Sequence, residues 1–146
     1  MKNATILLVD DDQVDALAFM RAFKSKKIPN PIVRAKDGIE ALALLRGEGR
    51  PPLPPPYLVL VDLNMPRMGG IEFLEELRRD PGLAGTVVFV LTTSGAEEDR
   101  RAAYRHQAAG YVQKSEAGED FADMVNLIEQ YWKVVQLPGS DRARPS

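Results

Sequence analysis

The chain has 146 residues, 45% of them apolar and 27% charged, which suits one globular domain with a substantial core. A formal net charge of −2, with no basic run, offers no argument for nucleic-acid binding. There is no cysteine, which excludes disulfides, thiolate catalysis and thiolate metal sites. The first apolar run, residues 5–9, reads as a buried strand and ends at Asp10 and Asp11. A helix is expected over 13–26, with Ala16, Phe19, Met20 and Phe23 at helical spacing and Asp12 as its cap. A second strand over 31–35 leads through the turn Asp37-Gly38 into a helix over 37–46, where Ile39, Ala41, Leu42 and Leu45 repeat the spacing. Residues 50–56, Arg-Pro-Pro-Leu-Pro-Pro-Pro, read either as a polyproline ligand or as a stiff spacer. The short span inside a domain favours the spacer.

The third strand, 57–61, ends at Asp62, and a helix over 70–79 carries Ile71, Leu74 and Leu77 before Pro81-Gly82. A fourth strand over 86–91 ends beside Thr92, and a helix follows over 96–107. A short strand over 110–113 ends at Lys114, and a last helix spans about 117–135. These are five successive β-α units, and near-continuous apolarity marks strands covered on both faces. Right-handed crossovers then give a three-layer α/β sandwich.

In open sheets of this kind the functional crevice lies outside the carboxyl ends of the strands. Asp10, Asp11, Asp62, Thr92 and Lys114 all fall there. Clustered carboxylates need a cation, and magnesium, a hard ion with oxygen ligands, is the natural choice. Asp10 or Asp11, Asp62 and the backbone carbonyl of Asn64 would hold it. Asp62 is the candidate nucleophile, able to accept a phosphoryl group as an acyl phosphate. Lys114 would set a point charge on a phosphoryl oxygen, and Thr92 would donate its hydroxyl to another. Acids at strand ends are also common turn residues and helix caps, so each residue alone says little. His106, the only histidine, sits in the polar stretch Arg105-His106-Gln107 and reads as a helix-end residue rather than a phosphodonor.

Four motifs, in this order, carry a family resemblance: "ILLVDDD", "LVLVDLNMPRMGG", "VFVLTTS" and "GYVQK". From Ile6 to Trp132 the chain resembles the receiver domain of two-component response regulators. That resemblance implies a flavodoxin-like fold with sheet order 2-1-3-4-5 and five helices. It also implies a phosphoacceptor at Asp62, an acidic pair at Asp10 and Asp11, a carbonyl ligand at Asn64, and a switch formed by Thr92 and Tyr111. It implies a sensor histidine kinase as donor and a phosphoaccepting switch rather than an enzyme. Asp15, "DGIEAL", "RRDPGL", Ser115 after Lys114, and the ending "YWKVVQLP" are similar to phytochrome-associated response regulators, which makes a bacteriophytochrome a candidate kinase. Ser115 departs from the proline most receivers carry there.

The domain is expected to span 1–137 with an extended carboxyl-terminal helix and arm, followed by a disordered tail at 138–146. Few residues remain for an output module, so output is expected through protein contacts or relay to a downstream phosphotransfer or effector protein. On the last helix, Phe121, Met124, Val125, Ile128, Trp132 and Val135 form one stripe, which can pack on the sheet, and Leu127, Tyr131 and Val134 form a second, where one buried face would suffice. A homodimer is therefore expected through Leu127, Tyr131, Trp132, Val134, Val135 and Leu137. No apolar stretch reaches the ~20 residues of a membrane span, and Met1 to Ala4 leave no room for a signal peptide, so the expected location is the cytoplasm.

Two other readings compete. One is a receiver-like interaction module that accepts no phosphate, which the complete set of five residues disfavours. The other is a magnesium-dependent hydrolase, which would carry an aspartate where Asn64 stands.

Overall fold

The computed structural model describes residues 4–139. Five strands, β1 (Thr5–Val9), β2 (Ile32–Ala35), β3 (Tyr57–Val61), β4 (Val88–Thr92) and β5 (Gly110–Gln113), form one parallel sheet in the order 2-1-3-4-5. The helices are α1 (Gln13–Ser25), α2 (Gly38–Arg46), α3 (Gly70–Arg79), α4 (Glu97–Arg105) and α5 (Ala122–Val134).

Side chains alternate between the two faces of a strand, so each strand feeds two cores. Ile6, Leu8, Leu58, Leu60, Phe89 and Leu91 meet α1 and α5 on one face. Leu7, Val9, Val59, Val61, Val88 and Val90 meet α2, α3 and α4 on the other. This double burial explains why β1, β3 and β4 are apolar at nearly every position, with Thr5 opening β1 and Thr92 closing β4 as buried exceptions.

The helix boundaries have local causes. Asp12 caps α1 by accepting a hydrogen bond from the Asp15 amide at 3.1 Å. Asp37 caps α2 in the same way through Glu40, at 2.9 Å. Gly47, in the left-handed conformation at φ 81°, closes α2. Inside α2 the expected core face is shifted. Ile39 is 44% exposed, while Leu44 is buried among Leu42, Leu45 and α3. The last helix begins at Ala122, five residues later than the expected start at 117. Two 3-10 turns, Lys114–Glu116 and Glu119–Phe121, come first, with Gly118, Asp120 and Phe121 all at positive φ. The positive φ values at Gly118, Asp120 and Phe121 keep the backbone out of the helix until Ala122.

Residues 50–56 lie against the domain's own body. The Leu53 amide donates to the Leu44 carbonyl at 2.9 Å, and Leu53 packs on the α2–α3 core. Pro52, Pro54 and Pro55, with Leu45, Tyr57 and Pro138, line a cavity of about 630 Å³. It lies beside the start of β3, at the end of the sheet remote from Asp62.

Candidate functional site: an acidic cluster at the strand ends

Register brings the acids together. β1 and β3 pair so that Val9 faces Val61, and the Asp62 amide donates to the Val9 carbonyl at 2.9 Å. Asp10 and Asp62 therefore leave adjacent central strands at the same level. Both are buried, and Asp11 is exposed beside them. One carboxylate oxygen from each of Asp10, Asp11 and Asp62 lies within 4.8 Å of the others. Three hard oxygen donors at such spacing suit a divalent ion of the magnesium or manganese type and not a soft one.

The Lys114 ammonium reaches across from the end of β5 to this cluster. It donates to Asp15 Oδ2 at 2.7 Å, Asp10 Oδ2 at 2.9 Å and Asp62 Oδ2 at 3.1 Å. Burial works against its charge, but the hydrogen bonds to Asp15 and Asp10 and the charges of Asp10 and Asp62 outweigh it, and its pKa is raised. The Asp10 carboxyl is also raised. Burial is the main cause, and the Lys114 and Asp12 hydrogen bonds only partly offset it. Dry carboxylates with one cation among them are a site built to gain from a second cation.

The two oxygens of Asp62 have different partners. Oδ1 accepts the Thr92 hydroxyl at 2.7 Å and the Asn64 amide at 3.2 Å, while Oδ2 faces Lys114. Thr92 is fully buried at the end of β4. The Asn64 amide bond holds the loop after β3 in a tight turn around the carboxylate. Close packing keeps this loop in place. A Cβ on Gly70 would lie 2.5 Å from the Asp62 carbonyl oxygen and 2.8 Å from Leu63 Cα.

Tyr111 lies one strand further out, half-buried. Its hydroxyl donates to the Ser94 carbonyl at 2.9 Å, and the Arg100 guanidinium sits 5.7 Å from its ring centre. The Ser94 amide lies 3.4 Å from Thr92 Oγ1, and its hydroxyl donates to Asp99 at 2.6 Å. Ser94 thus joins the two expected switch residues. Neither this link nor the Asp15–Lys114 bond is marked in the sequence by a motif. The signals the chain offers are local: Ser94 stands two residues after Thr92, and Asp15 lies in the first turn of α1, just after the acid pair.

Other expected residues fall elsewhere. His106 is the C-cap of α4, 3.7 Å from a Glu75 oxygen. Of the six residues expected at a dimer interface, Trp132 and Leu137 need correcting, because they are buried in the chain's own α1–α5 core. The Trp132 ring meets Phe23 edge-on at 5.9 Å. Tyr131 is half-buried and stands edge-on to Phe89 at 5.0 Å. Leu127, Val134 and Val135 remain exposed. Residues 140–146 of the expected tail lie outside the described residues.

A doubly wound sheet of this order, with an acid pair, a central aspartate, a hydroxyl and a lysine at its carboxyl edge, defines a phosphoacceptor architecture. The chain belongs to the response regulator receiver domain family, whose pattern matches residues 6–126. It is 36% identical to response regulator Rcp1 of Synechocystis sp. over 137 residues, covering 92% of this chain and 93% of that protein. The crystal structure of the phosphorylated cyanobacterial phytochrome response regulator RcpA superposes with a TM-score of 0.80 at 34% identity, covering 93% of this chain and 99% of that one. The Mn(2+)-bound form of Rcp1 gives 0.80 at 36% identity, covering 92% and 99%. Among the described residues no helix is long and apolar enough to cross a membrane.

Proposed function

We propose that the chain is a magnesium-dependent switch that takes a phosphoryl group onto Asp62 from a sensor histidine kinase and signals by protein contact. The observation that carries this reading is the convergence of Asp10, Asp11, Thr92 and Lys114 on the Asp62 carboxylate. One carboxylate oxygen of Asp62 attacks the phosphorus of a phosphohistidine. The P–N bond breaks, and the imidazole nitrogen keeps the pair and takes a proton. Lys114 moves its Asp62 hydrogen bond to a phosphoryl oxygen, and Thr92 donates to another. Asp10, Asp11, Asp62 and the Asn64 carbonyl would hold magnesium, which neutralises charge developing on the phosphoryl oxygens. The bond from Tyr111 to Ser94 gives a route by which a shift of Thr92 alters the face between α4 and β5.

A phytochrome is the proposed kinase, supported by the likeness to Rcp1 and RcpA. Val14 (73% exposed) and Leu17 (44%) on α1, next to the acid pair, offer it an apolar contact. The cytoplasm is the proposed location. A downstream phosphotransfer or effector protein is the proposed receiver of the signal, and a homodimer through Leu127, Tyr131, Val134 and Val135 the proposed assembly.

The test is incubation with a small acyl phosphate, with and without magnesium, read by intact mass. One phosphoryl group is expected on the wild type with magnesium and none on Asp62→Asn. Equal labelling of the variant would overturn the assignment. No labelling of either protein would favour the interaction module.

A further inference from the structure

We propose that Asp15 is a positioning residue that keeps Lys114 seated over the cluster when a divalent ion takes the oxygens of Asp10 and Asp62. The inference rests on the phosphoacceptor reading of that cluster. An ammonium has three N–H donors, and on Lys114 three carboxylates use them. Two of these, Asp10 and Asp62, also belong to the metal-sized group of oxygens, and Asp15 does not. Asp15 is therefore the partner Lys114 need not share. It also makes the shortest of the three contacts, 2.7 Å.

Shared carboxylates create a conflict. Asp10 Oδ1 is already engaged by the Asp12 amide at 2.9 Å, and Oδ2 by Lys114. An ion entering there draws on the same two carboxylates as the ammonium and is repelled by it at close range. Losing two of its three partners would release a flexible lysine into solvent, with its rotamer entropy restored. Asp15 prevents this because it is itself held. Its amide donates to Asp12 Oδ1 at 3.1 Å, and it lies in the first turn of α1, where the helix favours a negative side chain. The arrangement gives Lys114 a place to stay that is adjacent to the metal oxygens and independent of them.

Without Asp15 the ammonium leans wholly on Asp10 and Asp62, in direct competition with the ion. The test is a double-mutant cycle in which Mn²⁺ and Mg²⁺ affinity is measured by calorimetry for wild type, Asp15→Asn, Lys114→Met and the double variant. Asp15→Asn is expected to weaken binding about fivefold to tenfold when Lys114 is present and less than about twofold in the Lys114→Met background, a coupling of ordinary size for groups in contact. Asp15→Glu is expected to restore most of the affinity. Circular dichroism identifies a misfolded variant, for which Asp15→Ser substitutes. An equal loss in both backgrounds would show that Asp15 acts on the ion by its charge alone and would overturn the inference, as would no loss in either. A wild-type protein that binds neither ion would instead defeat the magnesium-dependent reading beneath it.

Discussion

Asp37 does two jobs at the start of α2. It caps the helix through the Glu40 amide, and it accepts Arg67 Nε at 2.7 Å from the loop that carries Asn64. The Gly38 amide donates to the Met68 carbonyl at 3.1 Å, so α2 braces the loop beside Asp62 at two points. Asp37 is buried, which opposes ionisation, but the Glu40 amide and Arg67 together lower its pKa. The unfolded chain holds this carboxyl near the ordinary value of about 3.9. A lowered folded value means its contribution to stability is full above about pH 4 and is lost as pH falls through the folded pKa. Arg67 is 62% exposed, so the pair contributes about 1 kcal/mol or less. Asn still caps a helix, so Asp37→Asn removes the charge and keeps the cap. Urea unfolding should show a constant deficit for the variant at pH 5 to 7 that shrinks toward zero below about pH 4. A deficit that grew on acidification would contradict the sign.

The helices are joined to one another as well as to the sheet, and Arg78 shows how. Its guanidinium leaves the end of α3 and donates to four carbonyls: His106 at 2.8 Å, Ala84 at 2.7 Å, Thr86 at 2.7 Å and Gln107 at 3.0 Å. Two of these cap the carboxyl end of α4, where the helix presents partial negative charge, and two hold the turn that leads into β4. Burial lowers the Arg78 pKa, but a guanidinium stays charged. A planar fork with five donors can satisfy four carbonyls in different directions, which a lysine cannot. Arg78→Lys is expected to lower unfolding stability by about 2–4 kcal/mol in urea titration. A loss under about 0.5 kcal/mol, ordinary for a surface change, would show that the fork is dispensable.

The molecule as a whole presents one assembly question. α5 covers the sheet through Met124, Val125, Ile128 and Trp132, and Leu137 folds back into the same core. What remains outward is Val134 at 82% exposed, Leu127 at 41% and Val135 at 36%, beside half-buried Tyr131. A second copy is the simplest cover, because one patch can pair with itself about a two-fold axis. Covering apolar surface is worth about 25 cal/mol per Å², offset by the cost of holding two bodies together. The contact is therefore expected to be sensitive to single charges. Sedimentation of the intact chain at micromolar concentration should give a dimer, and Val134→Glu should give a folded monomer that lacks only the concentration-dependent part of the unfolding stability, since Val134 adds little to the core. An intact chain that sediments as a monomer, phosphorylated or not, would defeat the proposal.

Much of this could be read in the amino-acid order because a doubly wound sheet imposes strong local patterns. Strands covered on both faces must be continuously apolar, so β1, β3 and β4 stand out, and the residues that end them must face the crevice. That makes Asp10, Asp62, Thr92 and Lys114 legible as one group from their positions in the chain alone. Partners that lie far apart in the chain left no such mark. Asp15 and Lys114 meet across 99 positions, and Arg78 reaches Gln107 across 29. Periodicity also states which residues share a face but not what covers it. Leu137 extends the outer stripe and Trp132 lies on the inner one, yet folding places both under the chain's own surface, because α1 supplies Phe23 and the core that receives them. The local order of apolar and acidic residues determined the strands, their ends and the acid cluster. Which oxygen meets which donor, and which apolar stripe is left for a partner, depended on packing between distant elements.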